Sequence, residues 1–434
     1  MKKSKVILYL VASVFLLVTG CSKKDKVEPE GVSTLEKIEG VWEGVINVPN
    51  QPLPISLKFQ ESNGMISIPA QGLDDYPLTS VVLKDSSLFI DMNIQGQLLT
   101  FEGLINKEII TGTFKQAGQS FPFELTKGEA NEVAEEGEFI QIEVQGKTMI
   151  GQLETPQGEG PFPIMIILAG SGPTDKDGNS ILLPGKNNSL KMLAEDLAEQ
   201  GVASIRYDKR GVGKNMTLAG KEEELRFEHY INDAAAWIEF AKEDNNYSKV
   251  GVIGHSEGSL IGMVAAEKTD ADAFVSIAGA GREIDQVPLE QLAEQLPANL
   301  NDEAKRIVEN LKQGEQVKTV STELQSIFRP SVQPYMISWL KYNPQERLKN
   351  FNGPTLIVNG THDIQVGISD AESLHNAKKD SLLLIIENMN HVFKDASKDL
   401  EENIKTYSDP ALPLSKGLIE GLINFLKEAA ILQN

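Results

Sequence analysis

The chain has 434 residues, 41% of them hydrophobic, enough for a sizeable core and for two or three domains. Lys and Arg total 41 against 62 Asp and Glu, a formal net charge of -21, and a surface that negative repels phosphate backbones and argues against nucleic acid as a partner. The single cysteine excludes an internal disulfide, and His229, His255, His362, His375 and His391 follow no metal-binding spacing, so no metal or other cofactor is expected.

The N-terminus reads as an address. Lys2, Lys3 and Lys5 precede an almost wholly apolar run over residues 6–18, too short for a comfortable membrane span. It ends Leu17-Val18-Thr19-Gly20-Cys21, which resembles the lipobox of bacterial lipoproteins. The resemblance implies removal of residues 1–20, lipidation of Cys21 and a membrane anchor through that lipid, outside the cytoplasm. More than one acyl chain makes such an anchor stable. Residues 21–35 are polar and serve as a tether.

Residues 36–130 should form a small all-β domain. Ile55, Leu57 and Phe59 alternate with polar neighbours, as do Leu88, Ile90 and Met92. Further short runs separated by Gly, Asn and Asp turns point to a sandwich or barrel. Trp42, in a Gly-x-Trp start similar to that of lipocalin-like barrels, is expected to plug one end of a packed interior rather than line a ligand-binding lumen.

From residue 138 the pattern changes to alternating strands and helices. A hairpin is expected over 139–153 and a buried strand over 164–168. Helices are expected over 190–199, 231–241, 259–267 and 414–427, with strands at 202–207, 250–253, 273–277, 355–358 and 382–386. This alternation predicts an α/β architecture, a mostly parallel sheet covered on both faces. Residues 281–353, largely helical in pattern, should form a helical cap over the pocket.

Gly254-His255-Ser256-Glu257-Gly258 follows an apolar strand and opens a helix, the context a nucleophile elbow requires. A serine hydroxyl needs a base held by an acid, and in this fold the chain order is serine, acid, histidine. Asp363 follows the strand at 355–358, and His391 follows the last strand, so Ser256, Asp363 and His391 are the catalytic candidates. Asp370 is the weaker choice of acid. The oxyanion hole needs two converging N–H groups. Glu257 should supply one, and Ser171, with Gly172 in reserve, the other, from the loop after the strand at 164–168. That loop lacks the Gly-Lys-Ser/Thr ending of a phosphate-binding loop.

Three segments, Gly-Ser-Gly-Pro-x-Asp-x-Asp-Gly-Asn at 170–179, Tyr-Asp-Lys-Arg-Gly-Val-Gly at 207–213 and Gly-His-Ser-Glu-Gly at 254–258, resemble bacterial α/β-hydrolase esterases of the EstD type. The segment from Phe328 to Tyr335 and the β domain carry the same resemblance. It implies the α/β-hydrolase fold with a helical cap, carboxylesterase activity on short acyl esters, a small-molecule ester as partner, the triad on Ser256, Asp363 and His391, and oxyanion donors on Ser171 and Glu257. These proteins are also similar to serine aminopeptidases, which leaves ester or amide open. An aminopeptidase would need an anionic grip on the substrate amine, for which Glu290, Glu294 and Glu303 are candidates. A third reading is a non-catalytic lipoprotein that binds an apolar ligand in the β domain. Asp208-Lys209-Arg210-Gly211 is expected to be structural, with Arg210 holding neighbouring loops through ion pairs.

Overall fold

A computed structural model describes residues 35–48, 52–60, 63–68, 73–94, 97–116, 119–128, 137–180, 185–285 and 297–433. The expected signal peptide, Cys21, the tether up to residue 34, and Glu290 and Glu294 of the cap lie outside the described residues. The chain divides into two compact units.

The first unit contains one antiparallel sheet of nine strands: β1 (Gly40–Ile46), β2 (Leu53–Gln60), β3 (Asn63–Ile68), β4 (Leu73–Pro77), β5 (Ser80–Lys84), β6 (Ser87–Ile94), β7 (Gln97–Asn106), β8 (Ile109–Gln116) and β9 (Gln119–Lys127). Their order is β4-β3-β2-β1-β9-β8-β7-β6-β5. The two edge strands are consecutive in the chain, and the Leu78 N–H between them donates to the Gly64 carbonyl at 2.8 Å, so the sheet curls edge toward edge. One face of β2 is buried at Leu53, Ile55, Leu57 and Phe59, as strict alternation requires. These side chains join Trp42, Phe101, Phe114 and Phe123 in one apolar cluster. Trp42 satisfies its indole N–H on the Ile38 carbonyl at 2.7 Å.

The second unit contains a sheet of eight strands: β10 (Glu138–Val144), β11 (Lys147–Glu154), β12 (Phe162–Leu168), β13 (Ala203–Tyr207), β14 (Tyr247–His255), β15 (Ala273–Ile277), β16 (Thr355–Gly360) and β17 (Leu382–Ile386). The order is β10-β11-β13-β12-β14-β15-β16-β17, parallel from β13 to β17 with β10 and β11 antiparallel. Ten α-helices are described: α1 (Ser189–Glu199), α2 (Phe227–Glu243), α3 (Glu257–Thr269), α4 (Ala298–Lys312), α5 (Gln325–Phe328), α6 (Gln333–Trp339), α7 (Pro344–Asn350), α8 (Ile368–Ala377), α9 (Leu400–Lys405) and α10 (Leu418–Glu428).

The period of two along β12 sets the layers. Ile164 and Ile166 pack with Val252, Phe274, Ile357 and the apolar faces of α2, α3 and α8. Met165 and Ile167 point the other way, into a cluster with Val275, Leu356 and Leu190, Leu193 and Leu197 of α1, closed by Leu418, Leu422 and Leu426 of α10. Each such side chain stabilises the fold by about 1.5–3 kcal/mol on full burial. This is the α/β-hydrolase fold. Because β12 lies between β13 and β14, the chain reverses direction across the sheet at β12. The loops that leave β12 and β14 therefore flank a crevice at the strand ends, where ligands bind in such sheets. Between β15 and β16, α4 to α7 form the helical segment expected at 281–353.

Candidate active site

Ser256 stands between β14 and α3 with φ 54° and ψ -119°, a conformation that costs a non-glycine residue of order 1–3 kcal/mol. The turn is tight enough to dictate its neighbours. A Cβ on Gly254 would sit 2.3 Å from the Gly258 carbonyl oxygen, and one on Gly258 would sit 2.6 Å from the Leu168 and Ala169 oxygens. The Ser256 N–H donates to the Ile277 carbonyl at 3.0 Å, which pins the turn to β15.

Asp363 and His391 come from the ends of adjacent strands. Gly360 pairs with Ile386 at the last register position of β16 and β17. Beyond it, Thr361 and His362 donate to the Ile386 and Met389 carbonyls, so the two loops leave the sheet together. His391 Nδ1 meets Asp363 Oδ2 at 2.8 Å, both side chains buried. The other carboxylate oxygen accepts the backbone N–H groups of Gln365 at 2.8 Å and Val366 at 2.9 Å. His255 ties this pair to the elbow. Its ring lies 4.7 Å from the His391 ring, and its Nε2 donates to the His391 carbonyl at 2.9 Å. Burial holds the His255 ring well below the usual imidazole range, so it is neutral, with Nδ1 left without a partner among the described residues. Among the described residues, Ser256 Oγ makes no hydrogen bond to His391.

Ser171 and Glu257 share a cavity of about 590 Å³, open mouth included, with Ser256. Glu257 opens α3, so its N–H has no acceptor within the helix. Gly172, the reserve donor, has φ 70° and does not line the cavity. Leu260, Ile284, Trp339 and Val366 make its walls largely apolar, with Ile284 and Trp339 supplied by the segment between β15 and β16. Asp370, the alternative acid, is not available to His391. It sits on α8 and accepts Nε and Nη2 of Arg282, each at 2.9 Å, and the Gly281 N–H at 3.0 Å. Glu303 is likewise engaged elsewhere, by the Ser321 N–H at 2.8 Å and hydroxyl at 2.5 Å.

The Ser171 loop is held by side chains turned inward. Asp175 Oδ1 accepts the N–H groups of Asp177 at 2.9 Å and Asn179 at 2.8 Å. Asp208 accepts from Lys176 N at 2.8 Å, and Arg206 pairs with Asp177. Burial, with Asp177 and Asp208 beside it, pushes the Asp175 carboxyl up to about 7. The folded chain then holds a proton that the unfolded chain loses near about pH 4. This contribution is fully present below about pH 4 and is lost as pH rises through 7. Asp175→Asn, uncharged throughout, should flatten that part of the curve. Wild type is expected to lose more Tm than the variant between roughly pH 4.5 and 7.5. Parallel curves would assign the titration to another group.

Sequence reasoning missed the groups behind the elbow. Glu257 Oε1 accepts the Tyr335 hydroxyl at 2.6 Å, and Lys209 Nζ lies 3.4 Å from Glu257 Oε2 and donates to the Gly170 carbonyl. Arg210 does form an ion pair, through Nε at 2.7 Å and Nη2 at 2.5 Å, but to Asp233 of α2 rather than to a neighbouring loop. Lys209 sits in a motif visible in the sequence, but nothing local marks its partners.

Fold and elbow together define an α/β-hydrolase protein with a serine at the strand–helix turn. Residues 185–394, just under half of the chain, match the family described as "Serine aminopeptidase, S33". The chain is 27% identical over 284 residues to Esterase EstD of Thermotoga maritima, a match spanning 64% of this chain and 65% of that protein, less than two thirds of its length. Among solved structures, Est1E from Butyrivibrio proteoclasticus with bound ferulic acid is similar at 19% identity, with a TM-score of 0.44 over 67% of this chain and 98% of that one. The esterase domain of a Rhodothermus marinus protein is similar at 16% identity and a TM-score of 0.42, over 67% and 98% of the two chains.

Proposed function

We propose that the chain is a carboxylesterase-type serine hydrolase for short-acyl esters, anchored outside the cytoplasm by lipid at Cys21. The observation that carries the catalytic reading is the Asp363–His391 hydrogen bond at 2.8 Å, tied to the elbow through His255 beside an apolar cavity. His391, oriented by Asp363, takes the Ser256 proton as Oγ attacks the ester carbonyl. The N–H groups of Ser171 and Glu257 receive the oxyanion. The alcohol leaves with the proton from His391, and water, activated by the same imidazole, cleaves the acyl-enzyme. The anchor rests on residues 1–21 of the sequence alone.

Ester is favoured over aminoacyl amide by the charge at the cavity. Glu257 is its one lining carboxylate among the described residues, and that carboxylate is occupied by Lys209 and Tyr335. Glu303 is occupied by Ser321. No described lining carboxylate is left to grip a substrate ammonium. A panel of p-nitrophenyl esters of increasing acyl length and aminoacyl p-nitroanilides, run on the chain lacking its first 20 residues, tests this. Short esters are expected to give kcat/KM about a hundredfold above the anilides, equivalent to about 2.7 kcal/mol in transition-state binding. Faster anilide cleavage would transfer the chain to the aminopeptidase reading.

A further inference from the structure

One lysine is spent in the interior beside the catalytic groups. Lys209 is 5% exposed, and its ammonium donates to the Gly170 carbonyl, lies 3.4 Å from the Glu257 carboxylate and 5.5 Å from the centre of the Tyr230 ring. Burying an ammonium is costly unless it is paired and hydrogen-bonded. Both of its polar partners belong to the same small region. The Gly170 carbonyl and the Ser171 N–H are two ends of one peptide unit, and in a trans peptide they point in opposite directions. That unit lies against the nucleophile, since a Cβ on Gly170 would come within 3.3 Å of the Ser256 Cβ. Glu257 contributes the other N–H, and its carboxylate is held from the far side by the Tyr335 hydroxyl at 2.6 Å.

We propose that Lys209 is a positioning residue of the oxyanion hole. By holding the Gly170 carbonyl it turns the Ser171 N–H toward the substrate, and by pairing with Glu257 it fixes the spacing between the two donors. The positive charge on the carbonyl end also polarises the amide, which makes its N–H a stronger donor to negative charge developing on the substrate oxygen. The assignment rests on the hydrolase reading above. It gives the Asp-Lys-Arg-Gly motif a division of labour, with Arg210 holding α2 through Asp233 and Lys209 holding the reaction's electrostatics.

The test is Lys209→Met in the chain lacking its first 20 residues, with p-nitrophenyl butyrate as substrate and butylboronic acid as the transition-state mimic. Removing an oxyanion donor outright costs about 10²–10³ in kcat. Loosening one should cost about ten- to a hundredfold in kcat, leave KM within about twofold, and weaken the boronic acid by the same factor as kcat. A purely structural role would instead lower Tm without this matched loss. Lys209→Met strands the Glu257 charge, so Lys209→Met/Glu257→Gln, which removes both charges together, serves where the single variant does not fold. Wild-type kcat and boronic acid affinity in either folded variant would overturn the proposal. Wild-type protein that neither cleaves the ester nor binds the boronic acid would instead overturn the hydrolase reading beneath it.

Discussion

Ser256→Ala is expected to cleave p-nitrophenyl butyrate at least about 10⁴-fold more slowly than wild type, while remaining folded. The magnitude follows from the role: removal of the attacking oxygen leaves only the oxyanion donors and binding to act on water. The fold has little to lose, because the hydroxyl makes no hydrogen bond among the described residues. Stability should in fact rise in one variant. Ser256 is held at φ 54°, so Ser256→Gly removes a strain of order 1–3 kcal/mol that Ser256→Ala retains. Glycine at this position is therefore expected to melt above alanine, and both should be inactive. Ester turnover at the wild-type rate in either protein would move the nucleophile elsewhere.

Asp363→Asn should cost about 10⁴ in kcat with only a small change in Tm. The reason lies in the second carboxylate oxygen. Oδ1 is fixed by two backbone N–H groups, at 2.8 and 2.9 Å, so an asparagine must leave its carbonyl oxygen there and turn its NH₂ toward His391. The imidazole then accepts at Nδ1 and carries its proton at Nε2, the tautomer that cannot take a proton from serine. KM should stay near wild type, because Asp363 does not line the cavity. A folded Asp363→Asn enzyme within tenfold of wild type would show that another acid orients the base.

Much of the second unit was legible because buried parallel strands are continuous apolar runs. β15 and β17 fall at the residues expected, and the hairpin of β10 and β11 follows its alternation. Boundaries fail where distant groups decide them. α2 begins at Phe227, ahead of the apolar pattern, where the Phe227 N–H is met by the Ser338 hydroxyl from α6. β14 runs on to His255 because Gly254 and His255 still pair with Ser276 and Ile277 of β15. In the first unit, β3 and β4 carry Asn63, Gly64, Asp74, Asp75 and Pro77, residues that sequence preference assigns to turns, and pairing with neighbouring strands overrides that preference. In the site, chain order and loop position marked Ser256, Asp363 and His391. The network of Lys209, Gly170, Glu257 and Tyr335 was invisible, since its contacts join residues 39, 48 and 78 positions apart.

β15 and β16 are parallel neighbours in the sheet, with Phe274 beside Thr355, so the long excursion leaves from the site end of β15 and must return to the opposite end of the sheet to enter β16. Nothing in the strand scaffold measures how far it travels. Part of the cavity wall, Ile284 and Trp339, is thereby written in a stretch of polypeptide apart from the strand ends that carry Ser256, Asp363 and His391, while Tyr335 of the same stretch still reaches Glu257. Exchange of the excursion that keeps Tyr335 would reshape this part of the wall and leave the strand ends in place.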